Sequence, residues 1–272
     1  MAQKPEAMVT SAARLRVPIL MYHEIAQPPD SASHLAVSPA AFAEQLAYLH
    51  GERFKTITVA ELSAALMGCT EKLPERTVVL TFDDGYEDFH SQAMPLLERY
   101  GFTATVFVTT GWIQDAGPPL AGRRPGRMLS WSQIAEAAHE GIEIGAHSHR
   151  HPQLDQLPEK LLREELYTSK AQLEDKLGSA VPGLAYPFGY SNARVRQVAR
   201  DAGHAYGCAV SNMVLNSTSD LFALPRLTIR RSVAVPTFRQ IVHGHVPMML
   251  RKDQALTKGW VMVRRTRQRL MR

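Results

Sequence analysis

The chain has 272 residues, enough for one large domain or two small ones with a well-buried core. Its 45% hydrophobic and 21% charged residues exclude disorder, collagen and coiled coil as descriptions of the whole, and 17 Gly with 17 Pro suit an α/β protein better than a helical bundle. The net charge of +5 gathers at one end: Arg251 to Arg272 holds eight Lys/Arg and one acid, the other 250 residues sum to −2, and the body offers no basic groove for nucleic acid.

Val17 to Ile25 is short and apolar and reads as a buried strand delivering Tyr22 and His23, with Gln27-Pro28-Pro29 as the turn after it. Ser38-Pro39 opens a helix, Ser as N-cap and Pro at the first helical position, and Phe42, Leu46 and Leu49 keep helical spacing. Thr56 to Val59 reads as a strand and Ala60 to Met67 as a helix. Thr77 to Phe82, apolar at nearly every position, is a strand covered on both faces, and it runs into Asp83-Asp84-Gly85-Tyr86. A helix through Ala93 to Tyr100 stops at Gly101, and Thr103 to Thr109 is the next strand, which makes a βαβ unit. The alternation continues with a helix over Trp131 to His139, a strand over Ile142 to Ala146 and a helix over Lys160 to Leu177. A strand over Pro182 to Tyr186, a helix over Ala193 to Ala202 and a strand over Ala205 to Val210 follow. Such a succession predicts an α/β fold, a distorted TIM-like (β/α)7–8 barrel of parallel strands whose chemistry collects at the strand C-termini. The organisation expected is an N-terminal extension over residues 1–16, one barrel over 17–246 and a basic tail over 247–272.

Cys69 and Cys208 lie far apart without a CxxC pair, so neither a disulfide framework nor a cysteine zinc site is expected. No run of 18 apolar residues is present, and Met1 to Arg16 lacks the apolar stretch of a secretory signal, so the chain as written reads as cytoplasmic. The tail interleaves apolar residues with arginines from Lys258 to Arg272. It reads first as a solvated terminus and second as a weak membrane-surface contact. Oligomeric state is not legible.

Polar residues end several of these strands. Two adjacent carboxylates after a buried strand need positive charge nearby. A divalent metal would supply it, with one Asp as ligand and the other free to accept a proton; helix N-capping is the competing reading. His147 and His151, at i, i+4, fall on one side of a helical turn, and with one carboxylate they form a two-histidine, one-aspartate set of the type that leaves a catalytic metal an open position. His149 alternates with them and should point away. His23, by itself, is a polar residue at a strand end.

Thr81-Phe82-Asp83-Asp84-Gly85-Tyr86, followed some sixty residues later by His147-Ser148-x-x-His151-Pro152, resembles the polysaccharide deacetylases, carbohydrate esterase family 4, over about Val17 to Arg231. Pro18 to His23 together with Ala185-Tyr186-Pro187-Phe188-Gly189 is similar to the subgroup of poly-β-1,6-N-acetylglucosamine deacetylases. The resemblance implies removal of N-acetyl groups from a glycan. Asp84, His147 and His151 would hold a divalent metal, zinc first and iron, cobalt or nickel as alternatives, with Asp83 as general base. By the same resemblance a backbone N–H near Phe188 faces the oxyanion. The general acid of most of the family lies in a C-terminal Leu-x-His that this chain lacks, whereas in the subgroup it comes from the N-terminal Tyr-His, which points to His23. The usual third-motif arginine is replaced by Ala185. Arg226, in Leu224-Pro225-Arg226, or Arg230 would take its place from another strand, and Arg226 is grouped with Tyr186, Pro187, Phe188 and Trp131 as a substrate-facing residue. The other readings are a sugar O-acetyl esterase or cyclic-amide hydrolase on the same metal site, and a silent glycan-binding module.

Overall fold

The computed structural model describes residues 16–27, 33–70, 73–115, 125–216 and 219–256. The residue pair Pro28-Pro29, the tail from Lys258 and most of the N-terminal extension lie outside them. In chain order the elements are β1 (Arg16–Val17), β2 (Ile19–Tyr22), α1 (Pro39–Gly51), β3 (Lys55–Ile57), α2 (Val59–Leu66), β4 (Thr77–Phe82), α3 (Met94–Tyr100), β5 (Thr105–Val108), α4 (Trp131–His139), β6 (Glu143–Ala146), α5 (Glu159–Leu177), β7 (Gly183–Ala185), α6 (Ala193–Asp201), β8 (Tyr206–Val210), β9 (Leu215–Asn216), β10 (Leu224–Thr228) and α7 (Val235–Val242). No helix among the described residues is long and apolar enough to cross a membrane.

Local chemistry sets the helix ends. Ser38 caps α1 by accepting the Ala41 N–H at 3.2 Å, with Pro39 at the first helical position. Ser130 and Gln133 form a reciprocal capping box at the start of α4, as Thr58 and Glu61 do for α2. Gly101 ends α3 in the left-handed region.

Seven strands, β2, β4, β5, β6, β7, β8 and β10, close a ring in which every pairing is parallel. The predicted barrel is therefore present. β3 wedges in at the entry end: it pairs with Thr77 to Val79 of β4, and β5 takes over the same edge of β4 at Thr81. β1 and β9 form a separate two-stranded antiparallel ribbon.

Strand alternation sorts the core into two layers. Leu20, Tyr22, Val78, Leu80, Phe82, Val106, Ile144, Leu184 and Tyr186 point outward into the layer covered by helices. Ile19, Val79, Phe107, Ala185, Tyr206, Cys208 and Leu224 fill the barrel, joined from below by Val59 and Leu62 of α2. That helix is seated by interior polar groups, since Thr105 Oγ1 accepts the Val59 N–H and Glu143 Oε2 the Ala60 N–H, each at 3.0 Å. Position 145 faces inward and is glycine, since a Cβ there would come to 2.5 Å from the Phe107 ring. On β4, the period that turns Val79 and Thr81 inward also turns Asp83 inward at the opposite, C-terminal mouth. It does the same for Arg226 on β10 and for His147 just past β6.

Candidate metal centre at the barrel mouth

Asp83 and Asp84 leave the end of β4 in different directions because Asp84 (φ 74°) and Gly85 (φ 84°) both take left-handed backbone. Asp84 Oδ1 comes to 3.4 Å from His147 Nε2 and 3.2 Å from His151 Nε2. Ligand atoms of these three residues all lie within 4.8 Å of one another. The histidines do not meet across a helical turn, as their spacing suggested. Residues 147–151 form an irregular loop in which Ser148 (φ 62°) and His151 (φ 57°) are left-handed, and Ser148 Oγ accepts the His151 N–H at 3.0 Å. Of the six non-glycine residues with positive φ among those described, Asp84, Ser148, His151 and Phe188 are at this mouth, the clustering of backbone strain expected at a working site.

The donors suit a divalent cation. Asp84 Oδ1 is buried and finds no hydrogen-bond donor, a cost that a cation would remove. His147 Nδ1 lies 2.8 Å from the Ala185 carbonyl, which fixes the N–H on that side and leaves Nε2 a lone pair facing Asp84. Burial pushes the Asp84 carboxyl up, but the two imidazoles crowding it prevail and hold it well below the carboxylate range. Burial pushes His147 down, and Asp83 and Asp84 more than reverse that, so its net shift is upward.

Asp83 stands apart from the triad. Arg226 Nη1 donates to its Oδ1 at 2.5 Å and Nη2 to its Oδ2 at 2.7 Å, a two-pronged pair with both side chains buried. Burial raises the Asp83 pKa, and Arg226 outweighs it, so the carboxylate stays ionised. Thr81 Oγ1 accepts a further bond from Arg226 Nη1 at 3.2 Å. The arginine that pairs with Asp83 therefore comes from β10, and the grouping of Arg226 with substrate-facing residues is corrected: it is fully buried behind Asp83. Arg230 pairs with Asp253 instead.

His23 follows β2 at an inward position. Its Nδ1 is buried without a partner among the described residues. Burial lowers its pKa, partly opposed by Asp84 and Asp83. Phe188 is 52% exposed and its ring centroid lies 4.8 Å from that of His151. Gly189 permits its tight turn, because a Cβ there would meet Val210 at 2.4 Å. Pro187 is buried in the turn.

Two other expectations need correcting. Tyr186 points into the outer layer, fully buried, with its hydroxyl donated to the Phe222 carbonyl at 2.9 Å, so it does not face the mouth. Trp131 packs against the core with Lys176 over its ring at 5.9 Å. The indole at the site is Trp112, stacked on His151 at 4.8 Å and 29°, in a 3-10 turn after β5 that hydrophobic periodicity does not single out. His149 turns away as expected, its Nδ1 lying 2.8 Å from Thr110 Oγ1. A cleft of about 810 Å³ opens on the neighbours of the site, with Glu24, Tyr86 and Asp88 in its lining. There burial pushes Asp88 up to about 7, against a backbone hydrogen bond at Ile25 and with Glu24 and Glu87 adding to the rise.

Known proteins share this architecture. The family model for polysaccharide deacetylases matches residues 70–207. YxkH of Bacillus subtilis (strain 168) is 28% identical over 235 residues, which span 85% of this chain and 78% of YxkH. The poly-beta-1,6-N-acetyl-D-glucosamine N-deacetylase of Staphylococcus aureus is 26% identical over 204 residues, 71% of this chain and 68% of that one. The Streptococcus pyogenes deacetylase PplD, solved in complex with acetate, superposes with a TM-score of 0.75 at 27% identity, covering 84% of this chain and 99% of its own.

Proposed function

The chain belongs to the polysaccharide deacetylase family, and from that premise we propose that it hydrolyses the acetamido group of an N-acetylglucosamine-type glycan, giving acetate and a free amine. The single observation that carries this reading is the meeting of Asp84, His147 and His151 beside an Asp83 held ionised by Arg226. The acetate bound by PplD and the glycan named for the Staphylococcus aureus relative support the same reading.

Asp84, His147 and His151 would hold the cation. Two imidazoles and one carboxylate are the donors of catalytic zinc, and we assign zinc ahead of iron, cobalt or nickel, which the same set accepts. When bound, the cation supplies Lewis acidity that makes water a better nucleophile and the amide carbonyl a better electrophile at neutral pH. Asp83 takes the proton of the attacking water. The Arg226 fork fixes the carboxylate's orientation and keeps it anionic, so it is ready to accept. An amide nitrogen is too basic to leave as an anion, and His23 protonates it. Burial lowers the His23 pKa, and the facing Asp84 and Asp83 carboxylates oppose that shift and favour the protonated form the step needs. The exposed Phe188 ring offers a flat apolar face to the sugar, and a backbone N–H of its turn faces the developing oxyanion.

Metal analysis with an acetate-release assay tests this. Purified protein should carry about one zinc and release acetate from N-acetylglucosamine oligomers, and Asp83→Asn should abolish turnover while retaining the metal. Release from acetylated xylan alone would transfer the reading to an O-acetyl esterase. Full turnover by Asp83→Asn would remove the base.

A further inference from the structure

The loop carrying His147 and His151 has little regular structure to hold it, yet two of its residues sit in left-handed backbone. Four of its five amides are tied down. The His147 N–H bonds the Val108 carbonyl at 2.9 Å and the His151 N–H bonds Ser148 Oγ. Two of the three amides between them go elsewhere: Glu165 Oε2, on α5, accepts both the His149 N–H at 3.0 Å and the Arg150 N–H at 2.7 Å. Glu165 is 2% exposed, and its other oxygen takes the Arg150 Nε–H at 2.7 Å. From the opposite side, the Thr110 and Gly111 amides bond the Ser148 and His149 carbonyls. The same short turn carries Trp112, which stacks on His151.

We propose that Glu165 is a positioning residue for the metal centre. Its buried carboxylate grips two consecutive amides of the 147–151 loop and holds the two imidazoles at the separation that Asp84 requires. A carboxylate suits this task because one oxygen can receive two N–H groups while the charge strengthens both bonds. Arg150 neutralises the buried charge from the solvent side, and the grip belongs to the amides. The effect on the metal runs through backbone, since Glu165 touches neither histidine ring. The inference rests on the metal-centre reading above.

Cobalt(II) uptake by chelator-stripped protein tests it, with affinity measured by competition against a chromophoric chelator and geometry read from the ligand-field absorption. Glu165→Ala should weaken cobalt binding by about ten- to a hundredfold, the usual cost of losing an outer partner of a metal ligand, and should alter the absorption envelope. Glu165→Gln has the same shape and retains one acceptor oxygen. It should fall between wild type and Ala, and it decides the matter should the Ala variant not fold. Arg150→Lys keeps the charge and both amide bonds, so its affinity should stay within about twofold of wild type. A purely structural Glu165 would lower the unfolding midpoint of the metal-free protein and leave cobalt affinity and absorption of the folded molecules unchanged, and that result overturns the proposal. An equal loss in Arg150→Lys and Glu165→Gln overturns it as well, by moving the effect to the ion pair. Wild-type protein that takes up no cobalt would instead sink the metal-centre reading itself.

Discussion

Replacing Arg226 by methionine leaves the Asp83 carboxylate buried without its two-pronged partner. Arg226 is 0% exposed and Asp83 3%, so water does not readily fill the gap. Two charge-assisted bonds, at 2.5 and 2.7 Å, are lost. Breaking such a buried pair from one side costs about 3–5 kcal/mol. At roughly 2–4 °C per kcal/mol for a domain of this size, Tm of the metal-free protein should fall by about 6–20 °C. The sign with pH follows from the shift on Asp83. In the wild type its pKa is depressed, so the ionised carboxylate adds stability above about pH 4 and that contribution fades as pH drops through the folded value. Without Arg226, burial dominates and the pKa rises, so the Tm deficit should be largest near neutrality and shrink in acid. The acid limb of kcat/KM should move to higher pH, because the base is then protonated over a wider range. Arg226→Lys retains charge without the planar fork and should lie between. Differential scanning calorimetry and a pH profile of acetate release read both effects. A methionine variant that matches wild type in Tm and in its acid limb would refute the assignment.

Phe188→Ala removes a half-exposed ring, so Tm should hold nearly constant while KM for a glycan rises roughly fivefold, the worth of about 1 kcal/mol of stacking. Trp131→Ala should do the reverse, lowering Tm with KM unchanged; a rise in KM would return Trp131 to the substrate groove. Burial, with the Lys170 ammonium pushing the same way, depresses the His204 imidazole to about 4. The unfolded chain therefore binds that proton first, and stability present above about pH 6.5 is lost as pH falls to about 4. The loss amounts to about 3 kcal/mol, and urea titrations at pH 7 and pH 4.5 should show most of this difference vanish in His204→Leu.

Much of this fold is legible because its signals are local. Thr77–Phe82 is buried at every position and Trp131–His139 is bounded by its own capping box, and both fall where the sequence places them. Asp84, His147 and His151 are legible as a set because ligand chemistry demands residue types that packing does not. Four features escape. β10 has a proline and an arginine at its centre and so breaks the apolar run of a buried strand; the interior partners Asp83 and Thr81 make its arginine tolerable. Tyr186 looks like a mouth residue until strand alternation is counted from Gly183, which turns it outward. The 147–151 loop mimics a helical turn in spacing, but its shape comes from Glu165 and Ser148, partners that a periodicity rule does not see. Trp112 reaches His151 only because a 3-10 turn swings it there.

Asp83 and Arg226 are 143 positions apart, and β10 is the strand that closes the ring between β8 and β2. As the polypeptide emerges from the ribosome, both motifs bearing acid and imidazole appear well before that guanidinium does. An unfinished copy can therefore own every ligand and its base, yet leave the base unsupported. The last stave of the barrel is thus also the one that completes the pairing of the base.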